Sequence, residues 1–428
     1  MRMLRQTCQD YGLLGQGILE KGYMKINLPD DVRFIIDTLT ENGYEAYAVG
    51  GCVRDSIIHR VPGDWDITTS ALPQDVKKLF RRTIDTGIQH GTVTIMIKSE
   101  GYEVTTFRVD GEYLDGRHPE NVEFTASLTE DLKRRDFTIN AMAYNDSVGI
   151  VDEFDGVKDI EKGIIRCVGR AEDRFSEDAL RMLRAVRFSA QLGYDIDSDT
   201  KAAIVKLAPT ISKVSRERIH TEFGKTLLSK HPDYMNKACE YGITKVVFPI
   251  YDEIADKKLA GRLANIVPED IAFRYAAFLW EFGRERCEKA MRELKLDNDT
   301  IKRAGRMAGF HGKQLFNDIK YVRELARDYG VEELLECLTF EECYYRAVEN
   351  SEGLEAVRIT KAHLREIIDK KQCVKLKDLA IDGAELARLG VSPGRDMGRI
   401  LKLCLDYVID DPECNTIEKL RAYAIINL

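Results

Sequence analysis

The spacing of apolar residues changes along this chain, and that change limits the folds it can adopt. In the first 150 residues, short runs with strand-like alternation occur at 47–49, 65–68, 92–97, 103–108 and 122–124. After residue 170 these signals fade and long helical patterns follow, beginning with residues 176–192. A strand repeats its side-chain direction every second residue, and a helix repeats it every 3.6 residues. The sequence therefore predicts an α+β protein in which a mixed α/β head is followed by all-α modules.

The length of 428 residues predicts two to four compact units. We expect the head at residues 24–150, a helical neck at 151–230, a helical body at 231–330 and a helical tail at 331–428. A second methionine, Met24, stands just before a clear helix start. Residues 1–23 are therefore expected to be an extension outside the fold.

Composition excludes several classes of protein. No apolar run approaches the roughly 20 residues that span a bilayer, so no membrane segment is expected. The ten cysteines are scattered without a CxxC pair, which is typical of reduced thiols in a cytoplasmic protein. The net charge of −8 argues against indiscriminate nucleic-acid binding. A local basic groove remains compatible with it, and residues 77–82 and 133–135 are the candidate segments. For the first of them, a solvated helix face is the favoured alternative.

Two aspartates, Asp64 and Asp66, carry the clearest chemical signal. On an extended segment both carboxylates point to one face, where they can share a hard cation such as Mg²⁺. Gly51 and Arg54 come shortly before them, and this glycine-rich turn offers backbone N–H groups and positive charge to a phosphate. The combination predicts metal-assisted nucleotidyl transfer. Glu103 lies on another predicted strand, either as a third carboxylate near the metal or as a solvent-facing side chain.

The segment RRDFTINA, residues 134–141, is a second candidate. Adjacent arginines cannot share one helix face, so at least one of Arg134 and Arg135 is expected to have another partner. A triphosphate would accept the bidentate fork of an arginine. The alternative is a helix terminus at which Asp136 pairs locally.

The helical pattern at 176–188 brings Asp178 and Arg181 three residues apart, and Arg184 and Arg187 continue the stripe. One interpretation is an ordinary salt-bridged surface helix with Ser176 as its N-cap. The other is a reader of base edges, because the carboxylate accepts a hydrogen bond from an exocyclic amine while the guanidinium donates to the neighbouring ring nitrogen. Such a pair accepts cytosine and adenine and rejects uracil and guanine.

A charged, glycine-bearing segment lies between two predicted strands of the head. It is interpreted either as a mobile functional loop or as a plain surface loop. Its candidate residues are Asp110, Gly111, Asp115, Gly116 and Arg117.

Taken together, these motifs resemble the class II tRNA nucleotidyltransferase and bacterial poly(A) polymerase family, within the superfamily that includes DNA polymerase β. The resemblance lies in GGCVRD with DWD, RRDFTINAMAY, EDALRMLRAVRF and SRERI with Glu222, in family order over residues 45–225. The helical half matches more loosely, at Leu294–Leu296 and at 383–401.

The resemblance implies a DNA polymerase β-like head that binds Mg²⁺ at Asp64 and Asp66, with Glu103 as an accessory catalytic carboxylate. It implies that Asp178 and Arg181 read the base, and that the tail contacts tRNA. The implied nucleotide-binding residues are Gly51, Arg54, Arg135, Asp178, Arg181, Arg184 and Arg187.

The details favour one reaction within the family. Residues 86–93 and 103–108 resemble the tRNA enzymes, and the segment from Asp110 to Pro119 resembles the flexible loop needed to add the terminal A. We therefore expect template-independent addition of C, C and A to the tRNA 3′ end from CTP and ATP, with release of pyrophosphate. The alternatives are an A-adding enzyme that works with a CC-adding partner, and a poly(A) polymerase on RNA 3′ ends. Trp280 and Glu281 stand where some relatives carry the His-Asp pair of a phosphohydrolase, so no such activity is expected.

Overall fold

The computed structural model describes residues 25–110 and 122–427. The chain divides into two compact units, Met1–Asp252 and Glu253–Leu428. All strands of the described residues belong to the first unit, and the second is helical. The predicted α+β class, with a mixed head before an all-α remainder, is confirmed.

A seven-stranded sheet is the centre of the first unit, in the order β3-β4-β5-β2-β1-β8-β9. Strands β2 and β5 run parallel, and the other neighbours in this sheet run antiparallel. The strands are β1 Ala46–Val49, β2 Ile67–Thr69, β3 Thr83–Gly87, β4 Thr92–Ile97, β5 Glu100–Thr106, β6 Arg108–Asp110, β7 Val122–Phe124, β8 Ala143–Asn145, β9 Gly149–Val151, β10 Ile164–Ile165 and β11 Asp195–Ile196.

Helices cover this sheet and continue beyond it to the end of the unit. They are α1 Asp30–Glu41, α2 Gly51–Ile57, α3 Pro73–Leu79, α4 Leu128–Lys133, α5 Gly156–Lys162, α6 Ala171–Glu177, α7 Leu180–Leu192, α8 Ser198–Leu207, α9 Arg216–Leu227, α10 Met235–Glu240 and α11 Ile243–Val247. Short 3₁₀ turns connect several of them, including one at Thr138–Asn140.

Local sequence explains how these elements pack. Helix α1 buries Val32, Ile35, Ile36 and Leu39, which share one helix face at the spacing of i, i+3, i+4 and i+7. Strand β1 is buried at all four positions because β2 and β8 flank it and the sheet is covered. In β5, Tyr102, Val104 and Thr106 are buried while Glu103 faces outward. The alternation of β5 thus fixes which face of the sheet carries the Glu103 carboxylate.

Two local predictions were wrong in part. The strand expected at 65–68 begins only at Ile67, where the chain first pairs with β1 and β5, so Asp64 and Asp66 lie in the segment just before it. The helix expected at 176–192 is two helices, α6 and α7, because Asp178 has an extended backbone with φ −143° and ψ 104°. Ser176 therefore lies inside α6 and is not an N-cap.

The second unit consists of helices α12 Lys257–Ile266, α13 Ile271–Leu279, α14 Gly283–Glu293, α15 Asn298–Phe310, α16 Ile319–Tyr329, α17 Val331–Ala347, α18 Ser351–Asp369, α19 Gly383–Arg388, α20 Arg395–Asp410 and α21 Ile417–Ile426. The last three share a core that includes Leu386, Ile400, Cys404 and Leu420. Within the described part of the chain, no helix is long and apolar enough to cross a membrane.

Candidate functional site

The turn between β1 and α2 is built on Gly50, which has a φ of +82° and a ψ of −125°. A Cβ atom at this position would lie 2.8 Å from Nη1 of Arg135. The Arg135 guanidinium therefore lies against the turn because residue 50 has no side chain. Gly51, the glycine chosen from the sequence, is less constrained, since a Cβ there would lie 3.7 Å from Arg54 Nη2.

The two aspartates lie at the edge of this turn. Both side chains are exposed, and the backbone N–H of Val49 donates to the Asp66 carbonyl at 2.9 Å. Among the described residues, neither carboxylate has a hydrogen bond or an ion pair with a protein group. Desolvation by the surrounding protein, together with repulsion from Asp64, raises the pKa of Asp66, and the Arg135 charge opposes that rise. The site thus gathers negative charge that the protein neutralises only in part.

Glu103 lies beside this pair in the sheet. Ile67 of β2 pairs with Val104 of β5, so one step back along both chains Asp66 stands next to Glu103. Glu103 is exposed on the face opposite to the buried Val104. In residues 25–110 and 122–427, no cluster of three or more carboxylate, histidine or cysteine side chains is close enough to form a complete metal site.

A chain of hydrogen bonds links the Gly50 turn to the helix that carries the predicted base-reading residues. Arg54 donates through Nη1 to Asn140 Oδ1 at 2.6 Å and through Nε to Asp55 at 2.9 Å. Asn140 donates to Asp136 at 3.3 Å, and Arg184 of α7 donates to the same carboxylate at 2.7 Å. Burial alone would raise the pKa of Asp136, but the Arg184 and Arg181 guanidiniums lower it to about 2. Asp136 thus pairs locally, with the Phe137 N–H and Asn140, and also with a residue 48 positions away, so the local alternative describes only part of its environment.

The ring of Phe188, which sequence reasoning missed, lies beside three of the sequence-predicted arginines. The guanidiniums of Arg54, Arg184 and Arg187 lie 5.1, 5.4 and 4.1 Å from the ring centroid of Phe188. Arg187 also forms a buried ion pair with Glu222 at 2.8 Å. Burial lowers the pKa of Arg187 to about 10, and Glu222 counteracts that loss. The signal for Phe188 is its position beside Arg187 in the arginine-rich helix.

A buried carboxylate, Asp131 of α4, pairs with both adjacent arginines. Arg134 donates to its Oδ1 from Nε at 3.0 Å and from Nη2 at 2.8 Å, and Arg135 Nη2 lies 3.6 Å from its Oδ2. Thr68 of β2 completes the set by donating to Oδ2 at 3.2 Å. Both arginines lie beyond the last residue of α4, so the rule that neighbours cannot share a helix face does not apply to them. The sequence pattern gave no sign of Asp131.

The two basic segments lie in different surroundings. In α3, Lys77 and Lys78 pair with Asp85 and Asp75 on the exposed side of the helix. In the second segment Lys133 is exposed, whereas Arg134 and Arg135 turn inward. A solvated helix face therefore describes the first segment better than a basic groove does.

Asp178 and Arg181 have separate protein partners and do not lie on the same helix. Asp178 accepts from the Leu180 N–H at 3.0 Å and pairs with Arg218 Nη2 of α9 at 2.6 Å. Arg181 pairs with Glu177 at 2.5 Å and donates to the Arg134 carbonyl at 3.2 Å. The break between α6 and α7 allows Asp178 to reach α9. Arg218 is a residue of the SRERI motif whose contact sequence reasoning did not foresee.

The other sequence-predicted residues are distributed as follows. Asp110 ends β6, and Gly111, Asp115, Gly116 and Arg117 lie outside the described residues. In the second unit, the ring centroid of Trp280 lies 4.7 Å from that of His311 and 4.9 Å from that of Tyr344. Glu281 accepts a hydrogen bond from the Ala255 N–H at 2.8 Å.

The head has the sequence of a known class. Residues 46–166 match the family model of the "Poly A polymerase head domain". Two further models match later segments, an RNA- and SrmB-binding site of polymerase A at residues 193–254 and tRNA nucleotidyltransferase domain 2 at residues 268–424. The fold and the site together define a nucleotidyltransferase.

Similarity to known proteins extends over most of the chain. It is 38% identical over 382 residues to a CCA-adding enzyme of Leuconostoc mesenteroides, covering 87% of this chain and 90% of that protein. It is 40% identical over 390 residues to one of Lactiplantibacillus plantarum, covering 88% and 90%. A crystal structure of the Bacillus stearothermophilus CCA-adding enzyme in complex with CTP matches with a TM-score of 0.76 and 33% identity over 92% of this chain and 96% of that one. The chain belongs to the family of CCA-adding enzymes.

Proposed function

We propose that this protein adds C, C and A in turn to the 3′ end of tRNA, using CTP and ATP without a nucleic-acid template and releasing pyrophosphate. The observation that carries the proposal is the meeting of Asp64 and Asp66 with the Gly50 turn and Arg135. The names of the full-length relatives, and the CTP complex of one of them, support the choice of reaction.

We propose Mg²⁺ as the cofactor, held by Asp64 and Asp66. The fit rests on donor chemistry, since both carboxylates are exposed and neither is paired with a protein group in the described part of the chain. Hard cations take such oxygen donors, and Mg²⁺ in nucleotide sites binds one or two carboxylates together with substrate phosphates. When bound, the metal supplies positive charge that acidifies the primer 3′-OH and stabilises the leaving pyrophosphate. Glu103, next to Asp66 in the sheet, is proposed as the accessory carboxylate.

The protein's own groups are proposed to hold the triphosphate at the Gly50 turn. Gly51 begins helix α2, and the first N–H groups of a helix, which have no partner within it, are proposed to bind the phosphates. Arg135 supplies a fixed positive charge beside this turn. Arg54 donates to Asn140 and pairs with Asp55, so it is proposed to hold the Gly50 turn in shape as well as to supply charge. Preorganised charge of this kind stabilises a transferring phosphoryl group without further rearrangement.

Asp178 and Arg181 are proposed to choose the base. Each is fixed by a partner, Arg218 for Asp178 and Glu177 for Arg181, so their hydrogen-bonding groups have set directions. An acceptor beside a donor matches the amine and ring nitrogen of cytosine and adenine. Arg184 and Arg187, over the ring of Phe188, are proposed to support the nucleotide.

The remaining predictions complete the proposal. The segment containing Gly111, Asp115, Gly116 and Arg117, which follows Asp110, is proposed to be the flexible loop for terminal A addition. The helical tail is proposed to contact tRNA, with head, neck, body and tail divided as the sequence predicts. A cytoplasmic location is part of the same proposal.

The test uses purified protein with Mg²⁺ and three tRNA substrates that end before the first C, after the first C and after the second C. Each is supplied with CTP, with ATP or with both. The proposal predicts CMP transfer to the first two substrates and a single AMP transfer to the third.

Other outcomes identify the alternatives. AMP transfer to the third substrate without any CMP transfer indicates an A-adding enzyme that needs a CC-adding partner. Long ATP-only products on all three substrates indicate a poly(A) polymerase. Either result would contradict the proposal.

A further inference from the structure

The carboxylate of Asp131 connects the two arginines that follow α4 to strand β2, 63 residues earlier. It is fully buried and contacts Arg134, Arg135 and Thr68. Thr68 belongs to β2, the strand that begins directly after Asp66. The backbone carbonyl of Arg134 accepts a hydrogen bond from Arg181, the proposed base reader.

Asp131 supplies a negative charge that stabilises the positive charge of Arg135. Its Nε is buried without a hydrogen-bond partner in the described residues, and its Nη2 faces Asp131. Burial and the neighbouring Arg134 both lower the pKa of Arg135, whereas Asp131 raises it most and Asp66 and Asp136 raise it less. Without Asp131, two adjacent guanidiniums would face each other in a buried site with no carboxylate between them. Arg135 would then leave its place beside Gly50.

We infer that Asp131 is a positioning residue of the nucleotide site, which holds Arg135 against the Gly50 turn and so fixes where the triphosphate binds. The inference rests on the proposed function, since it takes the Gly50 turn as the phosphate cradle. Asp131 does not touch the nucleotide, and it acts through Arg135.

The chain offers a matched control in Asp159. This carboxylate is 4% exposed and accepts from Thr138 at 2.7 Å and from Arg166 at 3.1 Å, so it also joins a threonine and an arginine. Its arginine, Arg166, also pairs with Asp197. Asp159→Asn therefore removes the same kind of buried charge without releasing Arg135.

The experiment measures the Kd of CTP in the presence of Mg²⁺ by calorimetry for the full-length chain and its variants. Asp131→Asn is expected to weaken CTP binding about tenfold or more, as charge-assisted contacts do when lost, whereas Asp159→Asn stays within about twofold. In the double variant with Arg135→Gln, the Asp131 substitution should have little further effect, because both changes remove one interaction. A merely structural role for Asp131 would give additive losses.

The results separate two failures. Equal CTP affinity in the Asp131 and Asp159 variants, or full additivity with Arg135→Gln, would overturn the role of Asp131. If Asp131→Asn does not fold, Thr68→Val removes the neutral hydrogen bond to Asp131, together with the bond from the same hydroxyl to the Thr105 carbonyl, and leaves the Asp131 charge in place. A rise in Kd of about twofold or more in that variant supports the inference, and an unchanged Kd overturns it. CMP transfer to tRNA by the unmodified chain is assayed alongside, and its absence would count against the proposed function, independently of the comparison of Kd values.

Discussion

The two adjacent glycines of the turn differ in backbone conformation and in the space around them, and this difference gives a testable prediction. At Gly50, alanine would have to adopt a φ of +82°, a conformation that costs roughly 1–3 kcal/mol outside glycine, and its Cβ would lie 2.8 Å from Arg135 Nη1. At Gly51, the first residue of α2, alanine has space and restricts the unfolded chain, which stabilises a protein by about 0.4–1 kcal/mol. The free energies of unfolding of the two variants should therefore differ by about 1.5–4 kcal/mol.

The chain has two tryptophans, Trp65 in the head and Trp280 in the second unit. In a Trp280→Phe background, Trp65 fluorescence reports unfolding of the head alone. Urea titrations of Gly50→Ala and Gly51→Ala in this background give the free energy of each variant, and any effect of the background cancels between them.

The expected order of stability is Gly51→Ala at or above the parent and Gly50→Ala clearly below it. Equal unfolding midpoints for the two variants would refute the claim that the positive φ and the approach of Arg135 require glycine at position 50. Gly50→Ala should also bind CTP more weakly, because its methyl group displaces the Arg135 guanidinium.

Two further predictions concern the charged groups of the site. The pKa of Asp136 is about 2 in the folded chain against an ordinary value of 3.8, so it contributes about 2 kcal/mol of stability above pH 4, which is lost as the pH falls from 3.8 toward 2. Asp136→Asn should make the acid end of the stability curve shallower than that of the parent, and a parallel curve would contradict the pairing with Arg184. Arg218→Gln should release Asp178 and relax the preference for C and A over U and G, while Arg216→Gln, which removes a bond to a backbone carbonyl, leaves selectivity unchanged. Equal selectivity in the two arginine variants would show that Arg218 does not orient the base reader.

The sequence was sufficient to predict those features in which a residue's environment depends on its near neighbours in the chain. The period-2 pattern of β5 already gives Glu103 its outward direction, and the spacing in α1 gives its buried face. The motif segments of the head were likewise found from residue types alone, and the structure brings Arg54, Arg184 and Arg187 together on one ring.

The parts that were missed depend on contacts between distant segments. Helix α7 begins shortly after Asp178, whose carboxylate accepts from the Leu180 N–H and pairs with Arg218, 40 residues later. A local helical pattern contains no trace of this pairing. Asp131 looks like an ordinary polar residue of a short helix, and its burial follows from contacts with the two arginines beyond the helix and with Thr68. Whether a side chain would have space at Gly50 depends on the approach of Arg135, 85 positions away.

The most direct test of CCA addition is the sequence of the nucleotides that this protein adds when all four are supplied. A tRNA lacking its last three nucleotides is incubated with the protein, Mg²⁺ and all four ribonucleoside triphosphates, and the 3′ ends are sequenced. The unmodified chain is expected to add CCA and then stop, and Asp64→Ala is expected to add nothing while it still binds the tRNA. Added U or G, tails of A alone, or normal addition by Asp64→Ala would contradict this expectation.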